Sequence, residues 1–560
     1  KGPKLLDGKD MATGKANYGL DTQIEGMQYA MIKRCPVVGG KIKSFDAKKA
    51  ESIPGVNQVF TLKTPDFPSG FDKPLGGVVV VARNTWAAWK ALDAIEVEWD
   101  FGPNADYDTD QYLDDLEAKV KKEGLIKRES GDVKQSLQEA DQVLTSVYRI
   151  PHSSHSPMEP PCAVAQVKGN ECEIWAPTQN PQWVKGSVAG ALAEILEQKA
   201  EDIKVKVNIT LLGGGFGRKS KPDFVVEAAL IAQEVGTPIK LMWKREHDVQ
   251  HDFYHACGVQ QIKVGIDKDN KVKAWNHQTI FPPIGGTASP QAIQPSDGEL
   301  GLGFVDFPFD VPNICCETNE ARAHTRIGWV RSVSNIQHAF ATCSMMDEIA
   351  ETRQMDAIAN ALDMLGKDRI FPIKDLVESY SNYNEPIEDF PWETARFRKV
   401  IELVRDKSGW GEQLGKGEAW GFAAHRSFLT YVAAVVKVKV VKNNKVTIPE
   451  VHYAVDCGKV INEERVKSQF EGGAVFGTSI ALKSAITFKE GRAQQSNFNN
   501  FQVARHGEDP QKIFVYLVPS EEKPTGVGEP PVPPIAPAIA NALYQITGKR
   551  HRTLPIDLQA

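Results

Sequence analysis

The chain has 560 residues, a quarter of them charged, and a formal net charge of −6. That length exceeds one ordinary core and predicts about three or four domains, while the mildly acidic balance excludes a basic nucleic-acid-binding face. No run nears the roughly 18 apolar residues of a membrane span, and the eight cysteines form no C-x-x-C pair that would hold an iron–sulfur cluster or a structural zinc.

Residues 1–100 read as a small α/β unit, with strands over 27–32, 56–62, 76–82 and 95–99 and helices over 47–53 and 85–94. Residues 101–139 read as a connector, polar up to 115 and carrying a lysine-rich helix face over 119–127. A second region, 140–380, opens with strands over 143–149 and 163–167. Between them His152, His155, Met158, Glu159 and Cys162 offer metal-ligand types, but prolines extend the backbone and no second ligand cluster accompanies them. Residues 173–180 end a strand in a turn, where Gln179 brings both an amide donor and an acceptor; a capping role is equally open to it.

An alternating strand over 203–211 runs into Leu211-Leu212-Gly213-Gly214-Gly215-Phe216-Gly217-Arg218-Lys219, and after Pro222 a helical pattern runs to 235. Glycines at such a corner permit positive φ and close approach of another group, and a helix start adds unpaired N–H donors, so the corner suits an anion or an oxo group. The dinucleotide fingerprint fails because Arg218 stands where the third glycine belongs, and the phosphate-loop pattern fails because Arg218 precedes Lys219-Ser220.

Downstream, a strand over 239–243 precedes His247, His251 and His255, spaced to share a helix face, with Asp252 one carbon short of the zinc-protease pattern. Strands over 259–265 and 272–280 lead to a Pro/Gly-rich loop, 282–312, which fits a lid or substrate funnel. Arg331 stands just before a helix and can hold an oxyanion or pair with a carboxylate. Residues 381–418 read as a charged helical linker. The last region, 419–560, has strands over 431–441 and 446–455, a helix from 462 bearing Gln469, and a rigid loop with Gly528 and Glu529 ahead of Pro530 and Pro531. Apolar neighbours would desolvate Glu529 and raise its pKa toward a general base's range; an exposed loop glutamate is the plainer alternative.

Five motifs in order, Thr178-Gln179-Asn180, Gly213 to Arg218, Arg331-Ser332-Val333, Gln469 with Glu471-Gly472-Gly473, and Gly526-Val527-Gly528-Glu529-Pro530, resemble those of the large subunits of xanthine oxidase-like molybdenum hydroxylases. Pro157-Met158-Glu159-Pro160, Arg245-Glu246 and Val455-Asp456-Cys457-Gly458 are most similar to the membrane-associated aldehyde dehydrogenase and isoquinoline oxidoreductase type. The resemblance implies an α+β chain: a hammerhead-type domain over 1–100, then two mixed α/β molybdenum-cofactor-binding parts, 140–380 and 419–560. It implies a molybdopterin cytosine dinucleotide with no protein ligand to the metal, contacted by Gln179, Gly214, Gly215, Phe216, Gly217, Arg218, Gln469 and Gly528. Glu529 would be the base, and Arg331 would stabilise charge on the substrate oxygen.

As partners the resemblance implies a small subunit holding the 2Fe-2S clusters, a cytochrome c subunit, and a preceding segment or separate chain with the Gly-Gln-Gly cofactor loop, which is nowhere in this sequence. It places the complex in the periplasm, membrane-associated through those partners. Ser220 stands where purine-oxidising members have glutamate, so purines are not expected substrates. Oxidation of an aldehyde to the acid is the leading expectation. Hydroxylation of an N-heteroaromatic ring, a non-catalytic scaffold and a zinc hydrolase are the alternatives.

Overall fold

The computed structural model describes residues 4–558. The fold is mixed α/β, as expected. Its largest sheet has seven strands in the order Lys204–Ile209, Glu171–Ala176, Cys162–Lys168, Ile239–Met242, Gln28–Lys33, Gly77–Ala82 and Val56–Leu62. Gln28–Lys33 runs parallel to Ile239–Met242, so strands on both sides of the boundary expected near residue 100 share one sheet. Gly77–Ala82 is buried along its whole length, which explains its unbroken valines. Helices Pro181–Leu196 and Asp223–Val235 pack on this sheet and close its core.

A five-stranded sheet orders Leu125–Ser130, Asn313–Thr318, Val272–Ile280, Gly258–Ile266 and Gln142–Ile150, and a four-stranded sheet orders Glu418–Ser427, Thr430–Val441, Lys445–Asp456 and Lys512–Leu517. Helix Asn335–Thr352 contacts both sheets and helix Ile535–Thr547, and nearly every one of its residues is buried. Its polar side chains are buried with partners, His338 on the Leu302 carbonyl, Asp347 on Arg550 and Glu348 on Ser146 and Tyr148, so the helix is held on all sides and fixes the turn that precedes it.

Several segments differ from expectation. The polar stretch after residue 100 contains helix Thr109–Val120, capped by Asp108 Oδ1, which accepts from the N–H groups of Asp110 and Gln111 at 3.0 and 3.2 Å. Leu113, Leu116 and Val120 bury its inner face. The lysine-rich stretch is not one helix face: the helix ends at Val120 and Leu125–Ser130 is an edge strand. Within 381–418, helix Thr394–Ser408 lays Phe397, Val400, Ile401 and Val404 on the four-stranded sheet. The 282–312 segment is not an open funnel over its second half. Phe304, Phe307 and Phe309 enter the core, with Phe307 stacked on Trp275 at 4.3 Å between ring centroids.

Candidate functional site

The strand Lys204–Ile209 leads into the glycine loop, but helix Asp223–Val235 starts only after a 3-10 turn, Arg218–Ser220. The donors at this corner are therefore the loop's own N–H groups, and the helix-start donors that the sequence predicts do not reach it. Glu159 Oε2 accepts from the Gly213 N–H at 3.1 Å and from Lys219 Nζ at 2.6 Å, which pins the loop at both ends. Gln179 Oε1 accepts from the Gly217 N–H at 3.2 Å, and the Gln179 N–H donates to the Lys219 carbonyl at 3.0 Å. A Cβ on Gly215 would stand 2.5 Å from that Gln179 oxygen, so glycine is what admits the amide. Among the described residues, the N–H groups of Gly214, Gly215 and Phe216 and the Gln179 side-chain NH2 have no protein acceptor.

Phe216 holds φ +54°, with its ring 5.3 Å from that of Phe476 on helix Glu463–Leu482. Its carbonyl accepts from the Arg331 N–H at 3.0 Å. The Arg331 guanidinium, buried beside Phe476, donates to the Gly528 carbonyl at 2.7 Å and to the Gln469 carbonyl at 3.0 Å. The next residue holds the carboxylate: the Ser332 N–H donates to Glu529 Oε1 at 2.8 Å and the Ser332 hydroxyl to the Glu529 carbonyl at 2.6 Å. Ser332 and Val333 both have positive φ, +86° and +50°, uncommon for any residue but glycine and most so for the β-branched Val333, a mark of stored strain. The turn before Asn335–Thr352 thus joins the glycine loop, the Gln469 helix and the Glu529 loop. Burial pushes the half-buried Glu529 carboxyl above its ordinary value, against the Ser332 N–H and the Arg331 charge, which pull it down.

The expected site residues therefore converge, with one exception. Arg218 turns its side chain inward, fully buried, and forms a fork with Asp223 at 2.8 and 2.9 Å; Arg326 reaches the same carboxylate at 3.0 Å. In this conformation its guanidinium does not face the loop's open side. The histidines are also engaged inside. His152 Nε2 meets the Tyr107 hydroxyl at 2.8 Å, and His155 meets Asp252 at 2.9 Å and the Trp329 carbonyl at 3.0 Å. His251 and His255 do not share a helix face, because helix Arg245–Gln250 ends before them; His251 faces the Cys35 carbonyl and His255 the Val333 carbonyl. That removes the zinc-protease reading. Glu159, offered by the sequence as a metal-ligand type, instead pins the glycine loop, and the sequence assigns no part to Ser332 or Phe476.

The arrangement presents hydrogen-bond donors on one side and a carboxylate with raised proton affinity on the other, bridged by one arginine turn. It can hold an electronegative group and accept a proton beside it. Gly217 is the tightest point of the loop: its φ is +104°, and a Cβ would sit 2.1 Å from the Trp329 carbonyl. Gly217→Ala is expected to destabilise the protein by about 1–3 kcal/mol from backbone strain alone. The check is urea unfolding, in which an unchanged midpoint would contradict this geometry.

Two profiles described as molybdopterin cofactor-binding domain match residues 116–360 and 350–510, together more than half the chain. The chain is 29% identical to the beta subunit of isoquinoline 1-oxidoreductase from Brevundimonas diminuta, across 97% of this chain and 66% of that protein. It is 29% identical to a membrane-bound aldehyde dehydrogenase (pyrroloquinoline-quinone) of Gluconacetobacter polyoxogenes, across 99% and 71%. A nicotinate dehydrogenase subunit of Pseudomonas putida matches at 25%, across 98% of this chain and 45% of that protein. Among solved structures, quinoline 2-oxidoreductase of Pseudomonas putida 86 superposes with a TM-score of 0.77 at 14% identity, covering 99% of this chain and 96% of that one. The aldehyde oxidoreductase of Desulfovibrio gigas gives 0.75 at 16%, covering 98% and 79%. These likenesses share the fold.

Proposed function

Because the chain belongs to the xanthine oxidase family of molybdenum-binding large subunits, we propose that it oxidises an aldehyde to the carboxylic acid by hydroxylation at the electron-poor carbonyl carbon. The observation that carries this reading is the chain of contacts from Gln179 on the glycine loop, through the Phe216 carbonyl to the Arg331 turn, and from that turn to Glu529. We take the cofactor to be the cytosine dinucleotide form of molybdopterin and the electron acceptor to be a small 2Fe-2S subunit. We further propose a cytochrome c subunit, a segment or chain supplying the Gly-Gln-Gly loop, and a periplasmic, membrane-associated complex. The name of the membrane-bound relative supports the membrane association.

The residues present fit a molybdopterin. The unpaired N–H groups of Gly214, Gly215 and Phe216 and the Gln179 side-chain NH2 form a neutral donor set suited to oxo and phosphate oxygens, and the absence of a side chain at Gly215 lets the Gln179 amide lie against the loop. When bound, the cofactor supplies the two-electron oxidation and the oxygen that is transferred. The protein's part follows from its geometry. Phe216 and Gln179 would donate hydrogen bonds to the bound group, and Gln469 and Gly528 hold the Arg331 guanidinium through their carbonyls. Arg331, fixed by two carbonyls, places positive charge where the substrate oxygen becomes more negative. Glu529 accepts a proton, its carboxylate aimed by the Ser332 N–H.

Ser220 cannot substitute for the glutamate of purine-oxidising relatives. Its hydroxyl donates to the Gly217 carbonyl at 2.6 Å and accepts from the Trp329 indole N–H at 2.7 Å. The test is the metal and nucleotide content of the complex purified with its partners. Molybdenum with acid-released CMP is the expected result. A complex that contains pyrroloquinoline quinone and no molybdenum would overturn the assignment.

A further inference from the structure

We propose that Lys221 is a positioning residue, clamping the glycine loop to the arginine turn through two backbone carbonyls. Its side chain is completely buried, and Nζ donates to the Gly217 carbonyl at 2.9 Å while standing 3.5 Å from the Trp329 carbonyl. Gly217 follows Phe216, whose N–H is one of the loop's open donors. Trp329 lies two residues before Arg331 and three before Ser332, which aims Glu529. One lysine side chain therefore spans the two segments whose relative position sets the distance between donors and base.

The seat is built for this group. Nζ lies 4.1 Å from the Trp329 ring centroid and 5.6 Å from that of Phe253. Gly328 makes room for it: a Cβ there would stand 3.1 Å from both Cε and Nζ. Arg218 and Arg326 face it with like charge, Asp223 and Asp252 with opposite charge, and His155 shares the Trp329 carbonyl. Burial and Arg218 push its pKa well below the ordinary lysine value, so the group holds its place at an electrostatic cost. A methionine would fill the same space without that cost. What it would lose is the link between the two carbonyls, each of which keeps another donor, Ser220 Oγ on Gly217 and His155 Nε2 on Trp329. Lys221→Met is for that reason expected to fold.

The catalytic half of the test rests on the oxidase reading above; the exchange half does not. In the purified complex, Lys221→Met is expected to speed amide hydrogen exchange over 213–220 and 328–334 by about tenfold, the scale of one buried hydrogen bond, with the helix Asn335–Thr352 unaffected. With benzaldehyde as substrate, kcat should fall by a similar factor of about ten while KM stays within about twofold, because positioning, not binding, is lost. Lys221→Arg, which keeps a cation and its donors, should recover most of both. Unchanged exchange in the two segments would overturn the proposal, and so would equal losses in the Met and Arg variants. A complex without molybdenum would defeat the oxidase reading alone, and the exchange comparison would still decide the clamp.

Discussion

Glu529→Gln is expected to lower kcat by about 10²–10⁴-fold, the range a positioned general base contributes, with the protein folded and the cofactor retained. Glutamine preserves the shape of the side chain and an oxygen for the Ser332 N–H, which reaches Oε1 at 2.8 Å. It removes only the capacity to take up a proton. The pH dependence gives an independent check. Burial holds the carboxyl of Glu529 above its ordinary value despite Ser332 and Arg331, and the base works as the carboxylate. Activity should therefore fall as pH drops through a pKa above about 4.3, the value of an unperturbed glutamate. Steady-state rates between acid and neutral pH would show this limb in the wild type. A glutamine variant with wild-type kcat would remove Glu529 from the chemistry.

Asp223→Ala is expected to destabilise the fold by about 3–5 kcal/mol, the cost of stranding a buried charge. Its carboxylate is fully buried and serves two guanidinium groups, Arg218 through a fork and Arg326 through one bond. Burial alone would raise its pKa, but Arg218 and Arg326 outweigh burial and hold the carboxyl below its ordinary value. The sign for stability follows. A depressed carboxyl contributes stability above its unfolded pKa of about 3.9 and loses it as pH falls through the folded value, so this contribution disappears on the acid side, below about pH 4. Urea unfolding of the wild type, Asp223→Ala and Asp223→Asn at neutral pH is the measurement. The asparagine variant, which keeps the shape and loses the charge, should recover only part of the loss. A variant as stable as wild type would show that Arg218 and Arg326 find other partners.

The parts of this site that could be read from sequence are those imposed by backbone geometry. Four glycines between an alternating strand and a helical pattern describe the loop, and glycines before prolines describe the Glu529 loop, because these residue types are selected for φ as much as for side chains. Side-chain direction was not legible. Arg218 belongs to the same run as Phe216 and Gly217, yet it turns inward because Asp223 and, from over a hundred residues away, Arg326 complete a buried pair. The helix starting at Thr109 was hidden for a related reason: its apolar positions are few, and they become a face only against the Gly258–Ile266 and Val272–Ile280 strands. His251 and His255 misled because spacing is informative only when the helix continues through it, and here it stops at Gln250. In the 282–312 segment, glycines and prolines masked three phenylalanines that belong to the core.

The bond between Ser332 and Glu529 also sets an order of events in biosynthesis. Gln179 and the glycine loop leave the ribosome hundreds of residues before Glu529, and at roughly 5–20 residues per second they wait tens of seconds for it. Until Glu529 and the helix Ile535–Thr547 behind it have docked, the strained Ser332 turn lacks the carboxylate that occupies its N–H. The open donors of the loop are accordingly available well before the base that would act beside them. A chain stalled before Glu529 would carry those donors without the base.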